Sequence, residues 1–88
     1  MKNYNLNDTV EMMLSDDYKE RFKAEYLQTC IRYIKLSKFL CDLRDERIDF
    51  YPICDIGILE CQLDIMAAYL TILNKRAQIE GINFKEDV

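Results

Sequence analysis

Three polar residues at helical spacing carry the chemistry most suited to a ligand. Gln62, Tyr69 and Arg76 recur at intervals of seven, which places an amide, a phenol and a guanidinium along one edge of a helix. Together these groups can stack on a base and hydrogen-bond a phosphate. The alternative is that they flank a coiled-coil seam, where long polar side chains cover apolar neighbours.

The first half of the chain has a second set of polar groups. Tyr18 and Arg21 share one face of a predicted helix with Glu25, and Arg32, Lys35 and Lys38 form a local basic patch. Such a patch either binds phosphate or is a solvated helix face. A guanidinium at a helix boundary, such as Arg76, needs a partner, which is either a ligand phosphate or a carboxylate such as Glu25.

The residue types argue against catalysis and against a metal. The chain has no histidine, no glycine-rich phosphate loop, no nucleophile elbow and no close carboxylate cluster. A lone Cys, Lys or Tyr is the remaining route to catalysis, so we expect a non-enzymatic protein with no cofactor. The four cysteines contain no CxxC pair, which argues against zinc. We expect Cys30, Cys41 and Cys61 to be small buried thiols.

Composition sets the class and the compartment. A chain of 88 residues forms one domain with a thin core, and oligomerisation is a common remedy. A formal charge of −4 argues against binding a nucleic acid polymer. The start of the chain has no apolar stretch of signal-peptide length, and no window approaches roughly 20 uninterrupted apolar residues. We therefore expect no membrane partner and a cytoplasmic location.

The chain must position these groups on helices, because two glycines and one proline leave little room for sheet turns. We predict one all-α domain over residues 1–88, in which a short N-terminal helix precedes a long antiparallel helical hairpin. Its parts are a short helix or arm at 1–14, a long helix at 17–43, a connector at 44–54, a second long helix at 55–80 and a tail at 81–88. The predicted caps are Asn7 or Asp8, Asp17 with Glu20 in a capping box, and Asp55, with Gly81 ending the hairpin.

The second long helix has more apolar surface than one partner covers. Its seam toward the first helix keeps a three-four spacing, and beside that seam run four isoleucines at intervals of seven: Ile58, Ile65, Ile72 and Ile79. We predict that this isoleucine line is an oligomer interface, so that the protein is a homo-oligomeric helical bundle. The alternative is that the N-terminal segment folds over the line within one chain.

These residues resemble a known family. The pattern Tyr18-x-x-Arg21-Phe22-x-x-Glu25, then Lys35-Leu36-x-x-Phe39, then Gln62-x-x-x-Met66-x-x-Tyr69-x-x-x-Leu73-x-x-Arg76 is similar to short phage proteins first grouped from crAss-like phages. The resemblance covers roughly residues 18–82. In layout the chain also looks like the helical-hairpin sponges with which phages sequester the cyclic nucleotide signals of CBASS and Thoeris immunity.

The resemblance implies a function and, together with the spacing, a site. It implies a phage-encoded sponge that binds a cyclic nucleotide signal in the host bacterial cytoplasm and blocks anti-phage defence. The alternative is an oligomeric structural or adaptor protein that binds a host or phage protein through its helices. The candidate ligand site consists of Tyr18, Arg21, Lys35, Gln62, Tyr69 and Arg76.

Overall fold

The computed structural model describes residues 4–83 and confirms the all-α fold. A 3-10 helix at Leu6–Thr9 continues into the short helix α1 at Val10–Met13, and two long helices follow, α2 at Tyr18–Arg44 and α3 at Ile56–Glu80. The order of one short and two long helices is the predicted one. Most of the predicted tail lies outside the described residues.

The N-terminal helical segment begins earlier than predicted. Asn5 is its cap: the Asn5 side chain accepts from the Asp8 N–H, and the Asp8 carboxylate accepts from the Asn5 N–H. The prediction of Asn7 or Asp8 as the cap is therefore wrong. The reciprocal pair satisfies two free N–H groups of the first turn at once, which favours Asn5 as the start.

The long helices begin and end at or next to the predicted residues, but the side-chain contacts at their starts differ from the predicted ones. Asp17 precedes α2, but its side chain accepts from the Lys19 N–H at 3.0 Å, and Glu20 lies 3.9 Å from Lys23 instead of closing a capping box. Asp55 precedes α3 without a side-chain cap hydrogen bond. Gly81 ends α3 in the left-handed region, with φ of 71°, as the sequence predicts.

The hairpin closes on a small core near its two free ends. Phe22 from α2 packs with Leu73 and Ala77 from α3 and with Ile82 just beyond it, and Tyr26 lies against this cluster. Because residues early in α2 meet residues late in α3, the two helices run antiparallel. At the other end of the hairpin, the Phe50 ring lies 6.1 Å from the Phe39 ring, while Tyr51 and Ile53 of the connector are exposed.

The N-terminal helical segment packs against α2 only, among the long helices that the structure describes. The 3-10 helix and α1 both pack on α2, and within the described residues neither contacts α3. Thr9 is fully buried, donates to the Leu6 carbonyl at 2.7 Å and accepts from the Gln28 side chain at 2.9 Å. The alternative in which this segment folds over the isoleucine line is therefore wrong for residues 4–83.

The isoleucine line is open to solvent in the single chain. Its four side chains are between 54% and 84% exposed. Within residues 4–83, α3 is also the one helix long and apolar enough to cross a membrane by length and composition alone, although Glu60 and Asp64 interrupt its sequence. The core helix of a soluble protein passes the same test. Either kind of partner, protein or lipid, would cover surface that α2 leaves bare.

Candidate functional site

Arg76 is the best-defined polar group of the candidate site. Its guanidinium carbon lies 4.7 Å from the centre of the Phe22 ring, which is a cation–π distance. Its Nε donates to the Glu80 carboxylate at 2.9 Å, one helical turn later on α3. Both contacts hold the guanidinium at the free end of the hairpin. Since the group has five N–H donors, only part of its capacity is used by Glu80.

Two further side chains of α2 act on this arginine. Tyr18 lies close enough to Glu80 to help lower the pKa of that carboxyl, and the charge of Glu25 also acts on Arg76. We call Tyr18, Phe22, Glu25, Arg76 and Glu80 the basal cluster. The hydrogen bond from Arg76, with a smaller contribution from Tyr18, lowers the pKa of Glu80, and the same bond raises the pKa of Arg76. The cluster thus combines one guanidinium with two carboxylates, and the Phe22 ring next to the guanidinium is buried.

The carboxylate partner of Arg76 differs from the expected one. Glu25 acts through its charge, whereas Glu80 makes the direct hydrogen bond. The spacing i, i+4 between Arg76 and Glu80 carries the signal that finds this partner. Phe22 was part of the sequence pattern, but its place under the guanidinium depends on the register of the hairpin and has no local signal.

One chain does not gather all six predicted ligand residues. Tyr18 and Arg76 both belong to the basal cluster, whereas Arg21 donates to the Ser15 carbonyl at 2.7 Å. Gln62 and Arg76 are fourteen residues apart on one helix, a distance of about 21 Å at 1.5 Å per residue. Tyr69 is 40% exposed midway between them. Lys35 lies about 25 Å along α2 from Tyr18 by the same measure.

The basic patch on α2 is partly neutralised. Lys38 forms an ion pair with Asp42 at 2.9 Å, and Arg47 reaches the same carboxylate at 3.3 Å. The hydrogen bond from Lys38 is the main cause of the lowered pKa of Asp42. Arg32 and Lys35 are exposed. Of this patch, Lys38 therefore reads better as part of a solvated ion-pair network at the connector end.

The cysteines divide into two kinds. Cys30 and Cys41 are partly buried, and burial raises the pKa of the Cys30 thiol next to Tyr26. Cys54 and Cys61 are exposed, so the prediction that Cys61 is buried is wrong for the single chain. The reason is that Cys61 lies on the side of α3 that α2 does not cover. No group of three or more potential metal ligands occurs in the part of the chain that the structure describes.

The fold is that of a small all-α hairpin protein, and its basal cluster groups one arginine with two carboxylates and two aromatic side chains. A family model described as Sequestin matches residues 16–79, which span α2, the connector and nearly all of α3. The chain therefore belongs to the Sequestin family. The family name is consistent with sequestering a ligand, and hence with a binding role. No curated protein and no solved structure matches the chain.

Proposed function

We propose that this protein is a phage-encoded, non-enzymatic sponge that binds a cyclic nucleotide immune signal in the host bacterial cytoplasm and so blocks anti-phage defence. The observation that carries the proposal is the Sequestin match over residues 16–79. The basal cluster supports it, because the Arg76 guanidinium carbon lies 4.7 Å from the centre of the Phe22 ring and near Tyr18, which is 46% exposed. Such a surface suits a ligand that combines bases with phosphates.

The binding chemistry follows from the contacts of Arg76. A ligand phosphate would compete with Glu80 for the guanidinium, and Arg76 suits planar, bidentate recognition of a phosphate. Tyr18 and Tyr69 are both exposed enough to offer a ring face to a base. Binding of this kind breaks no covalent bond, and affinity comes from charge-assisted hydrogen bonds.

Self-association is the second part of the proposal. Four isoleucines more than half exposed on one helix form an apolar strip of a kind that small soluble proteins rarely leave uncovered. A second copy of the chain would bury the strip and would also enlarge the thin core. Burying the rest of each isoleucine would stabilise the oligomer by about 1 kcal/mol per side chain.

The direct test is a melting experiment with a panel of cyclic mononucleotides, cyclic dinucleotides and cyclic ADP-ribose isomers. A ligand present at 100 times its dissociation constant stabilises the folded protein by about 2.7 kcal/mol. We expect one class of cyclic nucleotide to raise the melting temperature and its linear counterpart to do so less. The same panel on the Arg76→Ala variant is the matched control. A panel without any shift for the wild-type protein would overturn the proposal.

An adaptor function is the rival class, and one observation favours it. The connector presents Tyr51 and Ile53 to solvent, beyond the surface that self-association through α3 would cover. An adaptor would use such residues to contact a host or phage protein. The two functions separate simply: a sponge binds nucleotide with no other protein present, whereas an adaptor does not.

A further inference from the structure

The isoleucine line has two parallel neighbours on the surface of α3. Four residues after each of the first three isoleucines comes a polar residue, and three residues after each comes a residue on the opposite flank. The polar flank consists of Gln62, Tyr69 and Arg76, and the second flank consists of Cys61, Ala68 and Lys75. All six of these side chains are exposed in the single chain.

The isoleucine line and its second flank together have the form of a helix-pairing seam. Isoleucines at one heptad position alternate with Cys61, Ala68 and Lys75 at the position three residues later, which is the a/d pattern of a coiled coil. Small side chains at Cys61 and Ala68 let a second helix approach closely. A surface that repeats with the period of its own helix is suited to a second copy of itself across a two-fold axis.

Charge decides the direction in which the second copy runs. In a parallel pair, Lys75 would face Lys75 of the second copy at a core position, and like charges so placed are strongly unfavourable. An antiparallel pair separates the two lysines by about 20 Å along the helix axis. It also lays the half of α3 that carries Glu60 and Asp64 against the half that carries Lys75, in which Arg76 and Glu80 already pair with each other.

The same residues fix the place of the two-fold axis. The isoleucine line, the polar flank and the second flank are each centred within one residue of Ala68 and Tyr69. An axis at this point sets Ile58 opposite Ile79 of the second copy, and Gln62 opposite Arg76 of the second copy. Gln62 and Arg76, which lie about 21 Å apart in one chain, are then at the same height along the helix axis when one comes from each copy.

We infer that α3 pairs antiparallel with α3 of a second copy about an axis at Ala68 and Tyr69, so that each ligand site combines Arg76 of one copy with Gln62 of the other. The pair has two such sites, with the two Tyr69 side chains between them near the axis. The identity of the ligand rests on the proposed function, whereas the pairing geometry does not. Arg76 of the basal cluster supplies the guanidinium of each site, and the second copy supplies the Gln62 amide, which lies too far from Arg76 within one chain.

The test is thiol cross-linking without any nucleotide. The exposed Cys54 and Cys61 are replaced by Ser, and Q62C and R76C variants are made in that background. Three samples are treated with a short bis-maleimide: each variant by itself, and the two variants after they have been refolded together. Cross-linked peptides are then mapped by mass spectrometry. We expect a Q62C-to-R76C cross-link in the mixture and none between identical chains. Circular dichroism of each variant confirms that the helices are retained.

Two outcomes would overturn the inference. One is a cross-link between two Q62C chains or between two R76C chains, which parallel pairing would give. The other is no cross-link in the mixture. A second measurement needs only native thiols and one extra variant: Cys61 of the wild-type chain should not link to Cys61 of a second copy, whereas A68C should link to itself at the axis. A strong Cys61 self-link would equally contradict the antiparallel pair. Failure of nucleotide binding with these cross-links intact would overturn the proposed function alone.

Discussion

At the scale of single residues, Arg76 combines two contacts of different character. Its guanidinium lies at a cation–π distance from the Phe22 ring, and its Nε donates a charge-assisted hydrogen bond to Glu80. Its side chain still keeps 46% of its surface exposed. An exposed ion pair of this sort contributes little to folding, so holding the guanidinium in place fits ligand binding better than it fits stability.

Replacing Arg76 with Ala separates these two roles. We expect cyclic nucleotide affinity to fall by about 10- to 100-fold, the loss typical of a charge-assisted hydrogen bond, with little change in melting temperature. The matched control is Arg47→Ala, which removes another exposed, ion-paired arginine at the opposite end of the hairpin. Isothermal titration of both variants measures the difference. An unchanged affinity in Arg76→Ala would remove this residue from the site.

Glu80 makes the basal cluster sensitive to acid. Its pKa is lowered in the folded state, chiefly by the hydrogen bond from Arg76. A carboxylate with a lowered folded-state pKa contributes stability above its unfolded pKa of about 4.3, and the contribution disappears as pH falls through the folded pKa. We expect only a small difference in melting temperature between wild-type and Glu80→Gln at pH 7, and we expect this difference to disappear as the pH falls to 3. A gap that stays constant across this range would contradict the role of Glu80.

At the scale of helices and connectors, the end of α2 carries a local strain. Glu46 has φ of 58°, in the left-handed region that glycine adopts without cost. Glu46→Gly should stabilise the protein by about 0.5–1 kcal/mol, since relief of the steric cost outweighs the added freedom of the unfolded chain. Asp45→Gly is the control: its φ is −89°, so glycine there should destabilise slightly. Thermal unfolding of the two variants decides the sign.

The isoleucine line gives the prediction that belongs to α3. Replacing Ile65 and Ile72 with Asp should dissociate or unfold the oligomer, because burying unpaired carboxylates at a helix interface is costly. Ile53→Asp is the matched control, since Ile53 is fully exposed in the connector and lies off the line. Light scattering at micromolar concentration reports the mass. A wild-type chain that is a well-folded monomer in this measurement would contradict the predicted oligomer.

Particular elements show what the sequence was able to predict. The helices follow from hydrophobic period and end signals: α2 extends over Tyr18–Arg44 against a predicted 17–43, and α3 over Ile56–Glu80 against 55–80. The capping contacts were less predictable, because several side chains near each end compete for the same free N–H groups. Asn5 and Asp8 form the cap of the first helical segment because together they satisfy two of these N–H groups.

The site was harder to predict than the fold. Heptad spacing placed Gln62, Tyr69 and Arg76 on one edge, but it carries no information about which residues of α2 lie opposite. That depends on hairpin register, which put Phe22 and Tyr18 next to Arg76 and left Lys35 far away. The prediction that Cys61 is buried was wrong for the same reason, since helical spacing alone does not tell which face of a helix its partner covers.

At the scale of the whole molecule, the chain is elongated, with extents of 43 × 24 × 22 Å. α2 is covered on two sides, by the N-terminal segment and by α3, whereas α3 is covered on one. A second copy of the chain would cover the other side of α3 and so remove this asymmetry. A sponge also has to be abundant and stable relative to its signal, because it holds one ligand per site and turns none over. Completing the core by association would serve that requirement in a short chain.

We expect the protein to remove a cyclic nucleotide from solution without changing it. The most direct measurement incubates excess protein with the cyclic nucleotide that shifts its melting temperature most, then filters out the protein and assays the filtrate by liquid chromatography. We expect the filtrate to be depleted of the nucleotide, and heat denaturation of the retained protein to release it intact. A filtrate that keeps all of its nucleotide, or a released product that has been cleaved, would contradict the account.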